Sequence, residues 1–221
     1  MRVLLAVLWK DLLSEWRSRD RVVAMLIFSL LVAVVFHFSL PGGAGARSQA
    51  QAPGLLWIAY IFAAVLGLNR AFSVELENDA LSGLALVPVD RGYVFLGKAL
   101  ANTAILGVVQ AVTAVVFALF FQLDLLPIAL PLAGVVALGS LGVTAAGTLF
   151  AAVAVRTRFR EVMLPLLLLP LLVPVLAGAV RATAALLQGD SAPWDALQLL
   201  IVTDAIYWIV SFLGFEYVLD E

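Results

Sequence analysis

Cysteine is absent from this chain, and histidine occurs once, at His37. The first absence excludes disulfides, thiolate metal sites and a cysteine nucleophile. The second denies any metal or haem site the paired imidazoles that such sites commonly use. Charge is scarce as well. Asp, Glu, Lys and Arg make up 13% of the 221 residues, against 64% hydrophobic residues and a mean hydropathy of +1.10. Soluble domains carry about a quarter charged residues, so this composition is that of an integral membrane protein. A phosphate-binding loop is also missing, because Gly42, Gly43 and Gly45 are not followed by the Lys and Ser or Thr that such a loop requires. Any ATP that drives this protein is therefore bound by another chain. The net charge of -2 sits in connections and ends and offers nothing to nucleic acid. Lys10, Asp11, Glu15 and Arg17 interrupt the N-terminus, which excludes a cleavable signal.

What is present is a succession of long apolar runs. A helix needs about 20 residues to cross a hydrocarbon core of about 30 Å, and six runs qualify: 22–40, 54–71, 98–121, 129–155, 162–180 and 197–218. The reading is one all-α transmembrane domain over 1–221, with an even number of spans and hence both ends on one side. Eleven of the thirteen Lys and Arg residues fall on that side, and only Arg47 and Arg181 fall on the other. The excess of positive charge puts both termini in the cytoplasm. The external connections, around Gly42 to Pro53, Gln122 to Pro127 and Gln188 to Pro193, are too short for an outer domain.

Residues 1–20 are different. Leu4, Leu8, Leu12 and Trp16 recur every four residues, joined by Leu5, Trp9 and Leu13, while Asp11, Ser14, Glu15 and Ser18 lie mainly on the other side. Such a stretch is too charged to span and suits a helix lying along the cytoplasmic interface.

Few side chains inside the spans carry chemistry. Asp204 is the one acid well within a predicted span, and a carboxylate there costs about 2.5–3.5 kcal/mol on insertion scales. Two roles are open to it: a place in a translocation path, or a helix–helix hydrogen bond to Thr144, Thr148 or Asn102. Asn102 shares that choice between pathway and packing. His37, near the outer end of the first span, is read as a packing or hydrogen-bonding residue; as an axial haem ligand it would need Met or a ligand from a partner. Gly134, Gly139, Gly142 and Gly147 make the fourth span a helix that neighbours approach closely. In the fifth, Pro165, Pro170 and Pro174 remove backbone donors and predict a kink or a hinge. No metal site and no acid, base and nucleophile at one depth can be assembled, which argues against a membrane enzyme.

Between 72 and 97 the chain turns polar. Glu75, Glu77 and Asp79 can meet cations on a partner, and Leu76, Leu81 and Leu84 can fill an apolar cleft, the pattern of a helix docking in a groove. This is the candidate coupling segment on the cytoplasmic face.

Pro53 to Lys98, reading PGLLWIAYIFAAVLGLNRAF and then SVELENDALSGLALVPVDRGYVFLGK, resembles the CcmB family, the membrane subunit of the ABC-type haem exporter of c-type cytochrome biogenesis. So does LLLLPLLVPVLAGA, Leu166 to Ala179. The chain departs from the family where Asn78-Asp79 stands in place of a common Asp-Gly turn. The resemblance implies an ABC-2-type permease subunit without catalytic residues or an intrinsic cofactor, in the bacterial inner membrane. It implies a cytoplasmic ATPase dimer as partner, with ATP on that subunit, which makes a permease homodimer a candidate too. Further implied partners are haem-handling membrane proteins and a periplasmic haem chaperone, with haem as the substrate moved or released. An ABC-2 exporter of another lipid or drug, and a membrane scaffold without an energy cycle, are the alternatives.

Overall fold

The computed structural model describes residues 2–40, 46–72, 91–155, 157 and 159–220. Those residues form eight helices and no strand: α1 Arg2–Ser18, α2 Asp20–Ser39, α3 Ala46–Asn69, α4 Arg91–Phe121, α5 Ala129–Val155, α6 Arg160–Leu171, α7 Val173–Leu187 and α8 Trp194–Asp220. Five of them, α2, α3, α4, α5 and α8, are long and apolar enough to cross a membrane. Together α6 and α7 make a sixth such element, bent by 58°.

That bend falls where the prolines withhold hydrogen bonds. Pro170 and Pro174 have no N–H to give to the preceding turn, so the ladder is interrupted around Leu172, although Leu172 still donates to Leu168 at 3.0 Å and Leu176 to Leu172 at 2.8 Å. Pro165 lies inside α6, away from the break. One element expected as a single span is thus two short helices.

Two helices begin earlier than their apolar runs suggest. α3 starts at Ala46 and absorbs Pro53, because Ala and Gln in 46–52 are strong helix formers and one missing N–H does not end a helix of 24 residues. α4 starts at Arg91, so 91–97 belong to a helix of 31 residues instead of to the polar connection. At its other end Gln122 adopts a left-handed φ of 51°, and Leu123 donates back to Ala118 at 3.0 Å. This closes the helix and turns the chain toward α5.

α4 is the hub, packed against α1, α2, α3, α5 and α8, while α8 lies on α5 and α7. Buried aromatics hold the centre: Trp57 and Tyr60 from α3, Phe95 and Phe117 from α4, and Phe215 from α8. The outward faces are also apolar, with Val108, Val115 and Leu119 on α4 and Ile206, Ile209 and Leu213 on α8 all exposed. Water would not tolerate so continuous an apolar exterior; hydrocarbon does.

Between α1 and α2 stands a single residue, Arg19, with a left-handed φ of 59°. The hydrogen-bond ladder continues past it: Arg19 donates to the Glu15 carbonyl at 2.8 Å, Val23 donates to the Arg19 carbonyl at 2.9 Å, and the Glu15 carboxylate caps α2 by accepting from the Val22 N–H at 3.0 Å. α1 therefore leaves the bundle at a fixed corner. It rests on α4 through Leu4 and Val7, where Gly97 has no side chain; a Cβ there would come within 2.9 Å of the Leu4 carbonyl oxygen. Leu5, Trp9, Leu13 and Trp16 stay exposed.

Candidate functional site

At the α1 end of the bundle the scarce charges are gathered and matched. Lys98, only 1% exposed, sits on the second turn of α4 and donates to Asp11 of α1 at 3.1 Å and to the Ala71 carbonyl just past α3 at 3.3 Å. Its ammonium lies 4.5 Å from the centre of the Phe72 ring. A cation enclosed this far needs a counter-ion and acceptors, and all are supplied. Beside it a second chain of contacts runs inward. Glu15 faces Arg21 across 3.9 Å, Arg21 donates to the Asn102 side-chain oxygen at 2.7 Å, and the Asn102 amide donates to Thr148 at 2.9 Å. Four helices, α1, α2, α4 and α5, are joined by these few groups. Asn102 is thereby a link between helices.

This cluster flanks 73–90 on one side, and α4 begins on the other. Arg91, its first residue, donates to the Glu216 carbonyl of α8 at 3.2 Å. The docking candidates Glu75, Leu76, Glu77, Asp79, Leu81 and Leu84 lie outside the described residues.

Deeper in, Asp204 on α8 is 7% exposed, and neither carboxylate oxygen has a hydrogen-bond partner among the described residues. Of the two roles open to it, the hydrogen bond to Thr144, Thr148 or Asn102 is not made among the described residues. Thr144 bonds the Ser140 carbonyl at 2.8 Å and Thr103 at 2.7 Å, and Asn102 holds Thr148. Asp204 instead points at Gly142 of α5, whose missing side chain leaves the room it occupies, with Val175 of α7 alongside. One turn further along α8, the Tyr207 hydroxyl donates to the Leu171 carbonyl at the α6–α7 break. It satisfies a carbonyl that an unbroken helix would have bonded internally.

His37 is set among Phe38, Phe120 and Phe121, with ring centres 5.4, 5.1 and 6.1 Å away, and its Nδ1 is buried without a partner among the described residues. Between the C-terminal half of α4 and the N-terminal half of α5 lies a cleft of about 830 Å³. Gly107, Ala111, Ala114, Ala133 and Ala137 line it together with the polar Tyr60, Gln110 and Ser140. Ser140 donates to the Gln110 side chain at 2.7 Å, and Tyr60 to the Gln110 carbonyl at 3.0 Å. Asp124 is the one charged residue lining it among the described residues, and with no Lys or Arg beside it the cleft does not suit an anion.

Sequence reasoning missed Asp11, Arg21, Gln110 and Tyr207. Lys98 gave a usable signal: a cation seven residues into an apolar helix requires an acid somewhere, and Asp11 is on the polar side of α1.

A bundle of helices with apolar exteriors, five of them long and apolar enough to cross a membrane, is that of a multi-pass membrane protein. The family described as "CcmB protein" matches residues 2–215, and the chain belongs to that family. It is similar to heme exporter protein B of Paracoccus denitrificans, with 35% identity over 81% of this chain and 83% of the relative. The corresponding protein of Rhodobacter capsulatus is 33% identical over 94% of each chain. That of Pseudomonas aeruginosa is 30% identical over 80% of this chain and 79% of the relative.

Proposed function

We propose that this chain is the membrane subunit of a haem-export assembly serving cytochrome c maturation, driven by a separate cytoplasmic ATPase that docks on 73–90. Family membership and the names of the relatives support the haem-export setting. The distribution of Lys and Arg supports the orientation: six spans in a bacterial inner membrane, with α6 and α7 as one of them, both termini in the cytoplasm, and α1 at the interface with Trp9 and Trp16 toward the lipid.

The observation that carries the coupling role is the anchoring of both ends of 73–90. Ala71 and Phe72 are gripped by Lys98, which also holds α1 through Asp11, and α4 starts at Arg91, bonded to α8. A push on the segment passes into three helices at once. Glu75, Glu77 and Asp79 supply the ionic contacts to the ATPase, and Leu76, Leu81 and Leu84 the apolar ones. Haem ligation falls to companion membrane proteins and the periplasmic chaperone, since the single histidine is wedged among phenylalanines. The energy of ATP is spent on helix rearrangement that moves haem or releases the loaded chaperone.

Reversing charge with Glu75→Lys and Glu77→Lys tests the docking. Membrane insertion should be unchanged and ATPase co-purification lost; co-purification at the normal level would remove the claim.

A further inference from the structure

Asp204 is an ionisable group that the coupling role leaves unused, and its surroundings are specific. It is buried, both of its oxygens lack partners among the described residues, and it fills the space left by Gly142 on the facing helix. Counter-ions are absent from the described elements around it. α5 has no ionisable residue at all, and in α7 the single one is the exposed Arg181, nearly two turns beyond Val175. Arg160 and Glu161 open α6 at its far end. On α4, Arg91 and Lys98 are engaged at the α1 end with the Glu216 carbonyl and Asp11. On α8 itself, Asp195 lies toward one end and Glu216, Tyr217 and Asp220 toward the other, and the nearby Tyr207 hydroxyl donates a hydrogen bond to the Leu171 carbonyl.

An unpaired carboxylate is not stable in such a slot, but a carboxylic acid is. We propose that Asp204 is a proton-binding site of the α5–α8 seam. With the seam closed the side chain is the neutral acid; when α8 parts from α5 and water enters, the O–H bond breaks, the proton passes to water and a carboxylate remains. Closing reverses the step, so seam movement and proton uptake are linked. The site stands whether or not an ATPase docks on 73–90.

Dicyclohexylcarbodiimide tests this, because it adds to protonated carboxyls in apolar surroundings and spares ionised ones in water. The full chain in lipid nanodiscs would be treated across a pH series and mapped by peptide mass spectrometry. The expected result is an adduct at Asp204 whose yield falls roughly tenfold per pH unit beyond a single midpoint. Asp204→Asn should abolish it, and Gly142→Ala, which forces the side chain out of its slot, should move the midpoint toward acid. No adduct at Asp204 at any pH, a yield flat with pH, or a midpoint unmoved in folded Gly142→Ala protein would each overturn the proposal. The wild-type series decides the matter even if a variant fails to fold.

Discussion

Lys98 and Asp11 meet at 3.1 Å although 87 positions separate them in the chain, and the lysine of the pair is almost wholly enclosed. Asp11→Ala removes the acid that this cation meets on α1, a loss of about 3–5 kcal/mol. Replacing both partners, with Asp11→Leu and Lys98→Met, should recover most of this, because an apolar pair of similar volume has no desolvation to repay. Unfolding midpoints in detergent for the single and double variants give the comparison. A double variant no better than Asp11→Ala would contradict it.

Gly97 lets α1 lie against α4. Gly97→Leu drives a branched side chain into the Leu4 carbonyl and Val7, so α1 should lift from the bundle while the spans remain assembled. Faster proteolysis confined to α1 of folded protein is the expected readout; an unchanged digestion pattern would count against the packing described.

Asn102 bridges Arg21 and Thr148. In a double-mutant cycle, Asn102→Ala and Thr148→Ala should couple by about 0.6 kcal/mol, with an upper end near ~1.7 kcal/mol, as for other hydrogen bonds between membrane helices. Strict additivity in the same unfolding assay would show that the bond contributes nothing.

Tyr207 and Pro174 act together on the α6–α7 bend. Pro174→Ala restores a donor for the Pro170 carbonyl, and Tyr207→Phe frees the Leu171 carbonyl to take a helical partner. The double variant should straighten the element from its 58° bend. Because the chain has no native cysteine, Met163→Cys and Ala184→Cys give two unique attachment points for spin labels. The distance between the labels should lengthen relative to the parent labelled in the same way, and an unchanged distance would contradict the account of the bend.

How far the sequence revealed this structure depends on the range of the forces involved. α5 matched its apolar run, 129–155, because span length is a local property set by the bilayer. The proline break was legible as a weak point, but not as a division into two helices, since its angle depends on α8 and Tyr207. The start of α4 was obscured because Arg91 and Gly92 follow Pro88 and look like loop chemistry. The polar partners were harder to name: Lys98 asks for an acid, but that the acid is Asp11, and that Arg21 meets Asn102, is decided by tertiary packing, of which spacing along the chain holds no trace.

The Arg19 corner has a mechanical consequence. Because hydrogen bonds run through it from Glu15 to Val23 and the Glu15 carboxylate also grips α2, α1 and α2 share one ladder with a fixed elbow. Such a joint behaves as a crank: tilting its short surface arm applies torque to the long arm, with no slack between the two in which the motion could be lost.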